Sequence, residues 1–541
     1  RLNRREYENT LNDMFGTNLR LADMLPEDGR SHEFDNVGES LSLSMVQMQA
    51  YINAADKVWD AAIQSTLEKP SSQIVRATYA ETRGAEKFLG NQWLLLDDGA
   101  VVFYRRLGYP SGMLREANTK RGGFYKIRVT GYAHQSDRPI TFSIGSSTFA
   151  RGATNPTYGY FSMKPGPAMT VETTAWIEPR FMDTITPFGI SEPNYDIKRS
   201  GIENYRGPGL AIQSVEVEGP IIDEFPSRGH KLVFDGMQRQ EVLPPNRKDR
   251  TKPWYEPRFD VAGEAIDDQV KTSLRRVASR AYRREVDPAE IQPFVDLFVA
   301  EHQRSGLADE SMRSAVTALL CSTDFLFLRE PTGWLDDDAI AARLSYFLHR
   351  SLPDKELRRV ATEGGLAKQP KTLSQQVDRM LDDPRSDRFI DDFTDAWLGL
   401  RDIDFTVPDR KLYPEFDPYL RHSMVEETRA FVRKLVDENL SVRNLVQSDF
   451  AMLNERMAHH YGIKGVDGPE MRPVNLEKSS VRGGLLSQAS ILKVSANGTN
   501  TSPVVRGVWV NERILGHSPP PPPPGISGVE PDIRGAATLR E

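Results

Sequence analysis

The sequence predicts an α+β chain of several domains, mainly helical, with an antiparallel β-sandwich of jelly-roll type inserted after the first helices. Three observations point there. Apolar residues recur every three to four positions near both ends, the spacing of one helix face. Between these stretches, residues 75–218 alternate with period two and are broken by Gly, Pro, Asn and Ser, as antiparallel strands and tight turns require. And 541 residues are too many for a single hydrophobic core.

Each element follows in order. Residues 1–70 read as a helical N-terminal domain: Leu2, Tyr7, Leu11 and Phe15 mark one helix, and Met48, Ile52, Ala55, Trp59 and Ile63 the stripe of a second. In the sandwich, 75–218, Tyr125, Ile127 and Val129 alternate with Lys126, Arg128 and Thr130. Ile140, Phe142 and Ile144 alternate with Thr141 and Ser143, Val171, Thr173 and Ala175 continue the pattern, and Ile212, Val215 and Val217 form a last strand. Residues 219–264, rich in Pro and charge, predict an extended connector. Helices resume in a domain at 265–332, where Asp287-Pro288 signals a helix start.

A larger helical domain, 333–465, has Asp336 to Asp338 at the positive end of one helix and Ser374 as the cap of another that Pro384 stops. Its longest helix runs from Tyr419 to Leu440, with Met424, Thr428, Phe431 and Leu435 inward. The segment 480–541 contains a helix opened by Ser502-Pro503, and then six prolines, Pro519–Pro524, which read as a stiff polyproline spacer.

Composition narrows the function. With 39% hydrophobic and 27% charged residues the chain is suited to globular folding, and a net charge of −7 lacks the basic face that a nucleic-acid binder needs. No apolar run approaches the ~20 residues of a membrane span. The chain begins at Arg1 rather than Met and is read as processed or trimmed. Its one cysteine, Cys321, lies in an apolar helical pattern and reads as a buried, inert thiol. There is no Gly-x-Ser-x-Gly elbow and no phosphate-cradling Gly-rich loop. Asn497-Gly-Thr and Asn500-Thr-Ser read as turn chemistry.

Several motifs taken together carry a resemblance. Leu335-Asp-Asp-Asp-Ala-Ile-Ala-Ala-Arg-Leu-Ser-Tyr-Phe-Leu348, Leu352-Pro-Asp-Lys-Glu-Leu357, Arg379-Met-Leu-Asp-Asp-Pro-Arg385 and Leu453-Asn-Glu-Arg-Met-Ala-His-His-Tyr-Gly-Ile463 resemble the helical domain of planctomycete-type multi-domain envelope proteins associated with c-type cytochrome modules. Arg280-Ala-Tyr-Arg-Arg-Glu-Val286, Arg1-Leu-Asn-Arg-Arg-Glu-Tyr7 and Thr501-Ser-Pro-Val-Val-Arg-Gly507 look like the neighbouring domains of the same family, in the same order. His349 and Phe225-Pro-Ser depart from its usual residues. The resemblance implies an extracytoplasmic location in the periplasm or cell envelope, and haem c in the parent protein. Covalent attachment of such a haem needs Cys-x-x-Cys-His, which one cysteine cannot supply, so no haem is attached within these residues.

The sandwich itself resembles galactose-binding-like carbohydrate-binding modules through Gly123-Phe-Tyr-Lys-Ile-Arg-Val129 and Arg138-Pro-Ile-Thr-Phe-Ser-Ile144. Sugar recognition needs aromatic faces and fixed polar groups. Tyr158, Tyr160, Tyr104 and Trp176 are the candidate aromatics, with Arg105 and Asp98 as polar partners. The same rings suit the sandwich core, and both readings stay open here. His422 with Glu426, and Glu455 with His459, stand four apart on one helix face, as zinc ligands do, but no third ligand is signalled. One of the neighbours His459 and His460, taken here as His460, or else His349, is the histidine that a haem from an adjoining module, as the resemblance implies, would meet, and Asp391 with Asp395 is a carboxylate pair on a charged helix face.

The expectation is therefore an extracytoplasmic scaffold of a cytochrome-c-linked envelope protein, without a catalytic motif of its own. Its sandwich would hold an envelope or extracellular polysaccharide, and its helical domains would position haem c modules or a redox partner. Two alternatives stand beside it: a structural assembly protein making protein–protein contacts, and a polysaccharide-acting hydrolase, which needs two carboxylates across one cleft.

Overall fold

The structure, a computed structural model, describes residues 1–64, 66–105, 113–190, 194–252, 255, 257–262, 266–330, 332–499, 501–518 and 520. Apart from Pro520, the polyproline spacer expected at Pro519–Pro524 lies outside these residues, as does Asn500.

The chain opens with the helix Arg4–Phe15, closed at its start by a reciprocal cap. The Asn3 side chain accepts from the Glu6 amide at 2.8 Å, and Glu6 accepts from the Asn3 amide at 3.0 Å. Its buried face carries Tyr7, Leu11 and Phe15, as the spacing predicts. In the second helix, Met45–Ala62, the inward stripe is Gln47, Tyr51, Ala54, Ala55, Val58, Trp59 and Ala62. It lies about one residue round from the expected line, so Met48 and Ile52 sit at its edge.

Ten strands follow: β1 (Gln73–Ala77), β2 (Trp93–Leu95), β3 (Val101–Phe103), β4 (Met113–Asn118), β5 (Gly123–His134), β6 (Ile140–Ser147), β7 (Thr157–Met163), β8 (Met169–Ile177), β9 (Met182–Pro187) and β10 (Gly209–Ile221). They form two antiparallel sheets. One has the order β2-β3-β10-β5-β8, with β1 also on β10; the other has the order β4-β9-β6-β7. Phe103, Ile127, Val129, Ile212, Val215 and Val217 of the first sheet share one core with Phe142, Ile144, Met163 and Ile185 of the second.

β5 alternates buried and half-buried residues along its whole length. On its outer face Arg128 reaches Glu172 of β8 at 2.7 Å, and Glu216 and Glu218 of β10 at 2.7 and 2.8 Å, a cross-strand pairing of opposite charges. In β10, Ile212 and Val215 are three residues apart yet both inward. The register shifts between Ile212 and Ser214, so Gln213 is the extra residue of a β-bulge that restores the inward face. β6 departs from simple alternation: every residue from Ile140 to Ser147 is buried, because its outer face is covered by the helical domain. Thr141 donates to Glu455 there, and Tyr160 of neighbouring β7 stacks on Tyr419 at 4.6 Å.

The connector 219–264 is less extended than its composition predicts. It contains the helix Arg228–Phe234 and the hairpin Gln238–Val242 with Arg258–Ala262. Val233, Phe234 and Val261 join a core built from the N-terminal helices and residues 270–352, so the first helices and the 265–332 helices pack around one common centre.

Two start signals fall differently. Asp287-Pro288 opens a turn, and the helix begins at Gln292 with Pro293 in its first turn. Ser374 lies inside the helix Pro370–Leu381, which Pro370 opens. The helix Asp337–Leu348 is capped by Asp336, Pro418–Asp437 buries Met424, Thr428, Phe431 and Leu435, and Ser502 caps Pro503–Arg513, all as the sequence predicts.

Candidate functional site

A cleft of about 1050 Å³ opens where three parts of the chain meet. The N-terminal segment contributes Arg5, Glu8, Leu19 and Arg20. The strands β7 and β8 contribute Tyr158, Tyr160 and Trp176, and the helix Pro418–Asp437 contributes Arg421, His422, Glu426 and Arg429. Glu178 and Asp404 stand on the sheet and helical walls.

The aromatics are fixed by their surroundings. Tyr160 stacks on His422 at 4.6 Å with the planes 26° apart, and on Tyr419 at 4.6 Å. The Tyr158 hydroxyl pairs with Ser146 Oγ at 2.5 Å, and Trp176 stands edge-on to Phe124 at 5.2 Å. The indole N–H of Trp176 is buried and has no hydrogen-bond partner.

The polar wall is equally fixed. Arg429 holds Asp395 through three bonds, at 2.9, 3.0 and 3.3 Å, holds Glu426 at 2.9 Å, and lies 3.5 Å from Asp391. The expected pair Asp391 and Asp395 thus shares Arg429, and Asp395 also lies 3.8 Å from Arg5. Behind it lies a buried ion cluster: Asp392 accepts from Arg5 at 2.5 Å and from Arg350 at 2.7 Å, and Arg350 reaches Glu6 at 2.9 Å. Burial, with Arg429 and Arg421 nearby, lowers the His422 imidazole below its ordinary range despite the opposing Glu426, so the ring is neutral at pH 7.

The structure therefore brings Tyr158, Tyr160, Trp176, His422, Glu426 and Asp395 into one cleft, and leaves Tyr104, Asp98, Arg105, Glu455, His459, His349 and His460 elsewhere. Tyr104 is fully buried against Tyr205 at 4.9 Å and offers no face for stacking. Asp98 accepts from Tyr132 and Gln213 at 2.9 and 3.0 Å, and it and Arg105 are not among the cleft's lining residues. Glu455 is held by the Thr141 hydroxyl and by the Gly468 amide at 3.1 Å, while His459 is exposed. His349 is completely buried, with Nε2 3.0 Å from the Met380 carbonyl, so it has no surface to turn toward a haem; His460 is exposed beside Tyr461.

Among the described residues no three His, Cys, Asp or Glu side chains are grouped to hold a metal ion. Arg421 and Arg429 were legible as a polar stripe with His422 and Glu426 along one side of their helix. Arg5, Glu8 and Glu178 carry no local signal, because only the tertiary fold brings them to the cleft.

The architecture is that of a multi-domain chain of helical units around an inserted two-sheet domain. Four family models match it, each described as a protein of unknown function: DUF1587 over residues 1–64, DUF1595 over 269–330, DUF1592 over 335–463 and DUF1588 over 482–541. These are the planctomycete cytochrome-c-associated domains, and the chain belongs to that family. The sheets lie in the unmatched stretch between the first two. No curated protein matches the chain. Among solved structures, an Eiger TNF from S. frugiperda matches 28% of this chain and 88% of its own, at 10% identity and a TM-score of 0.14, too slight a likeness to bear on the fold. Among the described residues no helix is long and apolar enough to cross a membrane.

Proposed function

We propose that this chain is the scaffold and binding part of an extracytoplasmic, cytochrome-c-linked envelope protein, and that it holds a polysaccharide in the three-walled cleft. The two-sheet domain is then a jelly-roll, carbohydrate-binding-module-like unit, whose ligand is enclosed by the helical domain rather than held on a free sheet face. The observation that carries the reading is the lining of the cleft: Tyr158, Tyr160 and Trp176 on its sheet wall face Arg421 and Glu426 on its helical wall. A sugar ring stacks on such aromatics, and its hydroxyls bond to Arg421, Glu426 and Glu178. Electron transfer belongs to haem c modules beyond these residues, since a single cysteine cannot attach one here.

Calorimetric titration of the full chain with acidic and neutral polysaccharides tests the binding reading. Saturable heat with at least one class is expected, and a flat response to all of them refutes it. Hydrolysis is the second reading, because the cleft holds Glu178 and Glu426 on different walls. Release of reducing ends from a bound polysaccharide, lost in Glu426→Gln, would favour it.

A further inference from the structure

Four aromatic rings form a row on the surface of the helical domain. Phe389, Phe393 and Trp397 recur every four residues along the helix Asp387–Trp397, which places them on one face. Their rings stack in sequence at 5.6 and 5.4 Å, with planes 25° and 30° apart. Phe347, from the helix Asp337–Leu348, extends the row at 4.9 Å from Phe389 and is 59% exposed. Phe389 and Phe393 are half-buried, and among the described residues neither they nor Phe347 belong to any of the apolar cores. The helix already anchors itself by burying Ile390, Asp392, Thr394, Asp395 and Ala396. A contiguous apolar strip left outside the cores is the kind of surface that another segment covers.

One end of the row meets the end of the last helix. Trp397 Nε1 donates to the carbonyl of Arg513 at 2.7 Å, and Arg513 closes the helix Pro503–Arg513. Just beyond, the His517 amide turns back to the Asn511 carbonyl at 2.9 Å. The proline run begins two residues later. The reach is sufficient. The rings of Phe393, Phe389 and Phe347 follow one another at 5.6 and 4.9 Å, and six prolines in polyproline II extend ~19 Å, enough to pass Trp397 and cover all three. Rows of aromatic rings are what polyproline segments dock on, because the flat pyrrolidines pack against the rings and the stiff helix loses little entropy on binding.

We propose that the proline run Pro519–Pro524 of this same chain docks along Phe393, Phe389 and Phe347. Docking fixes the direction in which the residues after Pro524 leave the scaffold. The inference is independent of the cleft and of its ligand.

The test uses the full chain with Cys321→Ser and spin labels on R343C, one helical turn before Phe347, and on S527C, just past the prolines. Pulsed dipolar spectroscopy should give one narrow distance. That narrow component should be lost in F389A/F393A, and lost again when Pro519–Pro524 is replaced by Gly-Ser repeats with the aromatics intact. The same distance distribution in all three proteins overturns the proposal. So does a narrow component that fades when labelled protein is diluted with unlabelled protein, because the row would then be occupied by a second copy.

Discussion

Asp183 of β9 is 1% exposed, and neither of its carboxylate oxygens has a hydrogen-bond partner. Its backbone lies opposite Ser146 of β6, in the interior of the second sheet. Burial alone pushes this carboxyl from the ordinary 3.8 up to about 8. Between those two values the unfolded chain has lost the proton and the folded chain keeps it. Stability therefore falls as pH rises through this window, by about 1.4 kcal/mol per pH unit, and levels off only above the folded value. Asp183→Asn removes the titration and leaves the shape nearly unchanged. Relative to wild type, the variant should thus gain stability steadily from about pH 4.5 to pH 8. Urea denaturation at a series of pH values, with the difference in unfolding free energy plotted against pH, reads this directly. Parallel curves for the two proteins would refute the reasoning, since they would mean that the buried carboxylate ionises without cost.

Other substitutions test the remaining physical claims. Asp392→Ala removes the carboxylate shared by Arg350 and Arg5 while each keeps a second one, Glu6 and Asp395, and should cost about 1.5–3 kcal/mol by denaturation; a loss under about 0.5 kcal/mol would show that the cluster is solvated. Phe142→Ala empties part of the core between the two sheets and should cost about 3–5 kcal/mol, measured the same way. The Cys321 thiol, pushed by burial from 9.0 up to about 12, should react with a disulfide reagent at pH 8 about a thousandfold more slowly in the native chain than in urea. Equal rates would place that thiol in water.

The sequence carried the local pattern well and the long-range geometry poorly, for physical reasons. Period-two alternation is a property of one strand, so β5 was legible residue by residue. The inward set Ile212, Val215 and Val217 breaks that period, and only pairing with β5 reveals the bulge at Gln213 that reconciles it. The burial of both faces of β6 depends on a helix near residue 455, more than 300 positions away, which no local rule detects. The site shows the same division. Tyr158, Tyr160 and Trp176 come together at one cleft, whereas Tyr104, which composition alone groups with them, fills a small core beside Ile202 and Tyr205. Helix starts were misplaced where a turn precedes the helix, as at Asp287, because an Asp-Pro pair opens either one.

Binding measurements on three proteins test the central claim most directly: the full chain, Tyr160→Ala/Trp176→Ala at the cleft, and Asp98→Ala, which lies outside it. Titrated with the polysaccharide that gives the largest heat, the native chain and Asp98→Ala should bind alike, and the cleft variant should lose at least tenfold in affinity, the value of about 1.4 kcal/mol. Undiminished binding by the cleft variant, or a loss confined to Asp98→Ala, would contradict the account.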